Sequence, residues 1–353
     1  MRAETEREGR GKRKGQEEVP VTLREVAERA GVSRSAVSRT YTEGASVSPK
    51  TRAKVEKAAA DLGYSPNALA SSLTTGRTKL IGLVSNNFHN PIFLNVFDQF
   101  TRGLQKRGLR PLLVNLTDET DPAASLRMLR AYSVDGVIVA SSTLPATFAE
   151  AFRKVDIPVV HSFGRQTANP KVSVLGIDNI EAGRMAAKTL IARGYRRIAF
   201  LGGPESATST QDRLQGFAEV LTPNAQVNFS VSFATHYSFE SGRTEMLRLL
   251  EGQPAEAYFC GDDVLSIGAL SAIQSTGLQV PEDIGIIGLN DMEMAGWQNI
   301  NLTTIHNPIA QIINSSIELI EATLKDKDRH PEARLFACTI VERDTLRPLP
   351  DAF

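Results

Sequence analysis

Arg34, Ser35, Ser38 and Arg39 stand at spacing i, i+1, i+4, i+5, which would place all four on one face of a helix. Two guanidinium groups and two hydroxyls gathered on one short face are suited to nucleic acid. An arginine fork matches the acceptor edge of guanine, and hydroxyls hold phosphate oxygens. The bland alternative is the solvated charged face of any small helical bundle, so the flanking residues have to decide between the two.

Those residues write three short helices. Thr22 precedes an apolar helical pattern and Glu25 follows it by three, the signature of a capping box, with Val21 and Val26 placed for a hydrophobic staple. Leu23, Val26, Ala27 and Ala30 form its apolar face. Gly31 breaks the helix where a tight turn is needed. Ser33 caps a second helix that turns Ala36, Val37 and Tyr41 inward and the arginines outward. Ser48-Pro49 opens a third as N-cap and N1, with Val55, Ala58, Ala59 and Leu62 as its core face. Two short helices joined by a tight Gly-containing turn, the second with a basic outer face, describe a helix-turn-helix. A fourth helix is written by Ser65-Pro66, but residues 67–73 are too few to be stable alone in water. Folding on DNA, with Leu73 as an apolar wedge in the minor groove, is one reading; packing of Leu73 on a neighbouring domain is the other.

The run Thr22-Leu23…Val26-Ala27…Ala30-Gly31-Val32-Ser33…Val37-Ser38-Arg39, then Val47-Ser48…Thr51-Arg52…Val55, then Leu62-Gly63-Tyr64-Ser65-Pro66-Asn67…Ala70…Leu73 resembles the headpiece and hinge helix of the LacI/GalR family of bacterial transcriptional regulators. It departs from that pattern at Tyr41-Thr42, where Leu-Asn is usual, and at Ser71, where arginine is frequent. Asn90-Pro91-Ile92-Phe93, Asp178-Asn179, Gly194-Tyr195-Arg196-Arg197-Ile198, Arg213…Gly216-Phe217, Glu240-Ser241-Gly242, Pro281-Glu282-Asp283-Ile284 and Leu302-Thr303-Thr304-Ile305 resemble the same family's sensor, a fold similar to periplasmic sugar-binding proteins. The resemblance spans residues 21 to about 345.

Composition agrees with a bipartite chain. The 353 residues suffice for two or three domains, and 41% hydrophobic content is ample for a large core. Residues 1–79 hold 16 Lys+Arg against 10 Asp+Glu and the remainder 24 against 30, so a basic first part adjoins an acidic bulk. Cys260 and Cys338 lie in apolar runs and read as buried, reduced thiols in a cytoplasmic protein. No apolar run approaches a membrane span, and residues 1–20, mixed in charge and without an apolar core, read as a disordered arm rather than a signal peptide.

From Lys79 onward short apolar strands alternate with helices: strands at 80–84, 110–115, 136–140, 158–161, 197–201, 227–233, 257–260, 284–289 and 302–305, and one around 335–341. The helices fall at 92–107, 121–132, 144–155, 180–193, 209–220, 239–250, 264–275 and 308–324. Continuous apolar strands between helices mean parallel sheets covered on both faces, and their number requires two subdomains. The expected fold is an all-α helix-turn-helix headpiece plus an α/β sensor of two doubly wound parallel-sheet subdomains. Its parts are an arm at 1–20, the helix-turn-helix at 21–65, a hinge helix and linker at 66–78, and a sensor at 79–353. The family fold implies chain crossings near 177, 306 and 336, dividing the sensor into an N-subdomain (about 79–177 and 306–335) and a C-subdomain (about 178–305 and 336–346).

No nucleotide-binding loop, dinucleotide fingerprint, nucleophile elbow or zinc-protease motif is present, and the five histidines have no metal-ligand spacing. No catalytic residue, metal or cofactor is therefore expected. Ligands of doubly wound sheets sit at the carboxyl ends of strands. Asn87, Phe93, Phe163, Ser209, Arg213, Tyr237, Asp262 and Asn290 stand just beyond strands, and most fall on the family's effector positions. Asn290 replaces the family's usual aspartate, which suggests a ligand more anionic than a plain sugar, with Arg213 or Arg165 as counter-charge. Trp297, the only tryptophan, could stack on a sugar face or pack on the sheet.

The resemblance thus implies a homodimeric repressor that binds a palindromic double-stranded DNA operator and is switched by a sugar-like effector. Arg34, Ser35 and Arg39 would read bases. Thr22, Ser33, Ser38 and the third-helix start would hold phosphates, and Asn67, Ala70 and Leu73 would act from the hinge. The chain ends without leucine heptads, so dimers rather than tetramers are expected. A solute-binding protein of periplasmic type and an α/β enzyme are the two rival readings.

Overall fold

The computed structural model describes residues 21–42, 44–67, 72, 76–86, 88–116 and 122–350. The expected arm at 1–20 and most of the expected hinge helix lie outside the described residues. The chain divides into two compact units, Met1–Thr78 and Lys79–Phe353.

In the first unit, α1 (Leu23–Ala30), α2 (Arg34–Thr40) and α3 (Pro49–Leu62) pack around Val26, Ala27, Val37, Val55, Ala58 and Ala59. Their ends are written by local chemistry. Thr22 and Glu25 form a complete capping box, and Gly31 closes α1 in the left-handed region at φ 63°. Ser33 and Ser48 each accept a backbone N–H three residues on. The expectation that Tyr41 points inward is corrected. Tyr41 is the C-cap residue of α2, 36% exposed and tilted against Tyr64, while Thr40 takes the buried position and returns its hydroxyl to the Ala36 carbonyl. Arg52 Nη1 donates to the Thr40 carbonyl at 2.9 Å, tying α3 to the end of α2.

The second unit holds two six-stranded sheets. In chain order its elements are β1 (Leu80–Ser85), α4 (Ile92–Lys106), β2 (Arg110–Asn115), α5 (Pro122–Ala131), β3 (Gly136–Ala140), α6 (Ala146–Arg153), β4 (Val159–Ser162) and β5 (Ser173–Ile177). Then follow α7 (Asn179–Ala192), β6 (Arg197–Gly202), α8 (Thr208–Leu221), β7 (Asn228–Phe233), α9 (Phe239–Leu250), β8 (Ala257–Cys260), α10 (Asp263–Ser275) and β9 (Gly285–Asn290). Last come β10 (Thr304–His306), α11 (Ile309–Lys325), β11 (Ala333–Phe336) and β12 (Thr339–Val341). One sheet has the order β11-β5-β4-β3-β1-β2 and the other β12-β10-β9-β8-β6-β7. Every pairing is parallel except β10 with β12. The chain therefore passes between sheets after β5, after β10 and between β11 and β12. The single strand read at 335–341 is two short strands, one in each sheet. β5, a buried apolar pentad after a loop without periodicity, was not read from sequence.

One apolar cluster runs through both subdomains, including Ile81, Phe100, Phe200, Phe217, Ile287 and Ile317. Helix pairs cross so closely that only hydrogen fits between them. A Cβ on Gly216 would strike the Ile180 carbonyl of α7, and one on Gly183 the Arg213 carbonyl of α8; Gly242 and Gly268 serve the α9–α10 crossing in the same way. Gly216→Ala should lower the melting temperature by the equivalent of about 1–3 kcal/mol, the range for overpacking a tight interior. Gly252→Ala, whose Cβ would meet only the Leu249 carbonyl at 4.0 Å, should not. Equal melting of the two variants contradicts the close-crossing account.

Candidate nucleic-acid interface and effector cleft

In the first unit the outer face of α2 presents Arg34, Ser35 and Arg39 to solvent, with Ser38 half-buried. Among the described residues no carboxylate lies within ion-pair distance of Arg34 or Arg39, whereas Arg24, Arg29 and Arg52 each face one. Both guanidinium forks are thus presented without a competing carboxylate. Thr22 and Ser33 sit at the N-termini of α1 and α2, where backbone N–H groups favour anions. Ser33 Oγ and Ser35 Oγ share a hydrogen bond of 2.9 Å. Asn67 is exposed; Ala70 and Leu73 lie outside the described residues.

In the second unit a cavity opens at the carboxyl ends of both sheets. Its wall takes Asn90, Ile92, Phe93 and Val96 from the loop after β1 and the start of α4, Ser142 from beyond β3, and Phe163 from beyond β4. The other sheet contributes Arg213 of α8, Asp262 after β8, Asn290 at the end of β9 and Asn307 after β10. Ile177, Asn179 and Ile309 complete it, at the crossings.

Asp262 is the hub. Its Oδ2 accepts from Asn90 Nδ2 and from Asn290 Nδ2, both at 2.9 Å, and its Oδ1 accepts from the Val264 N–H at 2.9 Å as the N-cap of α10. Burial pushes its carboxyl up to about 6, against the pull of the Val264 N–H, the Arg213 charge and the two amides. Arg213 is held by Asn179, which accepts from its Nε at 2.8 Å, and by the Gly261 carbonyl, which accepts from Nη1. Asn307 Nδ2 donates to Asn290 Oδ1 at 3.1 Å, but the buried Asn307 Oδ1 has no partner. Phe93 and Phe163 meet edge to face at 6.4 Å. Phe163 (φ 66°) and Asn290 (φ 126°) both hold positive φ, a strain that concentrates at functional sites.

Of the residues read from sequence, Phe93, Phe163, Arg213, Asp262 and Asn290 line this cavity. Ser209 and Tyr237 do not. Tyr237 lies over Gly203, its hydroxyl bonded to Thr210 Oγ1 at 2.6 Å and Ser209 Oγ at 3.3 Å, so the two satisfy each other inside the C-subdomain. Asn87 lies outside the described residues. Asn90, Asn179 and Asn307 were not chosen from sequence, although Asn307 obeys the same rule as the others, standing just after β10. Of the two counter-charges expected for an anionic ligand, Arg213 lines the cavity and Arg165 does not. Arg165 is engaged by Asp212 at 2.6 Å and lines no part of the cavity, and Asn290 donates to Asp262. The charged residues of the wall are Arg213 and Asp262, which balance. Trp297 is 48% exposed and also off the wall. Cys260 is buried but Cys338 is only half-buried, and burial pushes their thiols up to about 12 and about 11. Among the described residues no helix is long and apolar enough to cross a membrane, and no cluster of potential ligands could hold a metal.

A helix-turn-helix joined in one chain to paired parallel sheets with a cleft at their carboxyl ends defines a ligand-responsive DNA-binding regulator. Residues 22–67 match the description "Bacterial regulatory proteins, lacI family", and residues 187–346 match "Periplasmic binding protein-like domain". The HTH-type transcriptional repressor PurR of Vibrio atlanticus (strain LGP32) is 31% identical over 338 residues, covering 93% of this chain and 99% of the relative. The PurR of Proteus mirabilis (strain HI4320) is 31% identical over 337 residues, covering 93% and 98%. The lac repressor dimer bound to operator and the anti-inducer ONPF superposes with a TM-score of 0.82 at 27% identity, covering 93% of this chain and 99% of that one. The transcriptional regulator CelR in complex with cellobiose gives 0.68 at 28%, covering 92% and 99%. The chain belongs to the lacI family: it is a DNA-binding transcriptional repressor and not an enzyme.

The carboxyl beside the hub carries a pH signature. Burial pushes Asp263 up to about 7, opposed by hydrogen bonds from Thr304 Oγ1 (2.5 Å) and the Met292 N–H (2.8 Å). An acid raised in the folded chain above its unfolded value of about 3.9 contributes stability that is present below that value and lost as pH rises through about 7. Asparagine mimics the neutral acid, with one acceptor and a donor. Asp263→Asn should therefore gain on the parent in denaturant midpoint as pH rises from about 4 to about 8. Parallel pH profiles for the two proteins contradict this.

Proposed function

We propose that this repressor binds a near-palindromic operator as a homodimer and is switched by a small, electrically neutral effector held in the cleft around Asp262 and Arg213. The observation that carries the DNA reading is the outer face of α2, two arginines exposed without a partner carboxylate among the described residues. Arg34, Ser35 and Arg39 enter the major groove, and Thr22, Ser33, Ser38 and the start of α3 hold phosphates. The segment 66–78 acts as the hinge, through which Asn67, Ala70 and Leu73 would act on DNA. Residues 79–353 form the sensor, in two subdomains bounded by the three crossings. For the dimer, the support is a pair of edge strands. β2 and β7 occupy the same end of their sheets' orders, exposing Leu113 (48%) and Val231 (41%), and Leu94 on the neighbouring α4 is 75% exposed. An operator-bound dimer is also the state of the lac repressor structure that superposes here.

The effector's chemistry follows from the wall. Balanced charge argues against phosphates and acids. Asn307 Oδ1 needs a donor, and Arg213, on the same wall, offers donors to an acceptor. Hydroxyl groups do both, and the ring faces of Phe93 and Phe163 suit the flat CH face of a sugar; one structural neighbour is in complex with cellobiose. A flat nitrogen heterocycle is the second reading, favoured by the edge-to-face phenylalanines.

Two outcomes test this. Arg39→Ala should weaken binding to a duplex selected from random sequence by about 1–3 kcal/mol, relax base preference at one position, and leave two protein copies per site. An unchanged base preference removes Arg39 from the interface. Asn307→Leu removes the free acceptor together with the donor to Asn290 Oδ1. In a melting screen of neutral sugars, nitrogen heterocycles and sugar phosphates, the parent should be stabilised by a neutral ring compound and the variant should not. Stabilisation by sugar phosphates alone contradicts the neutral site.

A further inference from the structure

The loop after β4 and the first turns of α8 meet in a dense polar contact outside the cavity. Arg165 belongs to the subdomain of β1, Asp212 to that of β6. Arg165 Nε donates to Asp212 Oδ2 at 2.9 Å and its Nη2 stands 2.6 Å from Asp212 Oδ1, an ion pair whose carboxylate side chain is 14% exposed. The same Nη2 donates to the Thr208 carbonyl at 3.0 Å and to Gln211 Oε1 at 3.1 Å. Helix α8 has no side-chain N-cap of its own, since Ala207 stands at that position. Its start is served from across the cleft: the Ser142 carbonyl, beyond β3, accepts from the Ser209 N–H at 3.2 Å and from Thr208 Oγ1 at 3.0 Å. Arg213 is the residue that follows Asp212.

We infer that Arg165 is a positioning residue for the effector site: by clasping Asp212 it pins the start of α8 to the opposite subdomain and so sets both cleft closure and the place of Arg213. A guanidinium that hydrogen-bonds a carboxylate and two further acceptors of the same turn has directional strength that a point-charge pair lacks, and here the carboxylate is largely shielded from water. The bonds exist only while the subdomains are closed; in an open cleft both charges return to solvent. An orphan N–H at the start of α8 then also loses its acceptor, so clasp and cap open together. Effector affinity scales with the fraction of chains already closed, which ties it to this pair although neither residue touches the cavity. The link to affinity rests on the effector reading above; the clasp itself does not.

Hydrogen exchange of the full chain, without any added ligand, tests the clasp. Arg165→Ala and Asp212→Asn should each speed exchange of the Ser209 amide on the order of tenfold or more, with the last turns of α8 unchanged. The swapped pair Arg165→Asp/Asp212→Arg should restore protection, and Arg165→Lys should restore part of it. Unchanged exchange in both single variants, at melting temperatures that show them folded, overturns the inference. So does a swapped pair as exposed as the singles, which would mean a local packing role instead. Because no effector enters this experiment, its failure leaves the cavity reading standing.

Discussion

The sensor is organised around a charge that should not be where it is. Asp262 is buried, and a buried carboxylate costs several kcal/mol unless its lone pairs are answered. Its donors come from three places: the α10 backbone, Asn290 of its own subdomain, and Asn90 of the opposite one. Removing any of these leaves the others holding an under-satisfied anion. The closed cleft is therefore the arrangement in which this carboxylate is satisfied, and the cavity wall is built outward from it. Arg213 adds the compensating charge, itself oriented by Asn179 and the Gly261 carbonyl.

How much of this was legible in the sequence depended on the signal each residue leaves. The headpiece was readable because its ends are written in side chains: Thr22 with Glu25, Gly31, Ser33, Ser48-Pro49. The exception, Tyr41, failed because a helix one residue shorter turns an inward position into a cap. Buried strands such as Gly136–Ala140 announced themselves as unbroken apolar runs. β11 and β12 did not, since they are short, partly exposed and separated by two residues, so they merged into one.

Position after a strand located Phe93, Phe163, Arg213, Asp262 and Asn290 on the cavity wall, and could equally have found Asn307. It could not separate wall from support. Ser209 and Tyr237 stand in the right places, yet their hydroxyls meet each other and Thr210 instead of the cavity. Carboxamides are the hardest to read, because asparagine is at home in any turn; only the bond from Asn90 to Asp262 shows what it does. Charge misled for the same reason. Arg165 looks like a ligand cation until Asp212, distant in sequence, is seen to occupy it.

These observations make one physical scheme. In the reading we propose, a helix-turn-helix whose Arg34 and Arg39 face no carboxylate among the described residues supplies DNA affinity, and the amide-rich cleft supplies a ligand-dependent equilibrium between closed and open sensors. A ligand can shift that equilibrium only by its differential affinity for the two states, and the DNA must feel the same shift in return. The most direct measurement is the dissociation constant of the full chain for its selected duplex at fixed salt, with and without the neutral compound that most stabilises the protein. The account predicts that this constant changes several-fold with the ligand, with a reciprocal change in ligand affinity on DNA, and that Arg213→Ala abolishes both changes while DNA binding persists. A duplex affinity unmoved by a saturating ligand would contradict it.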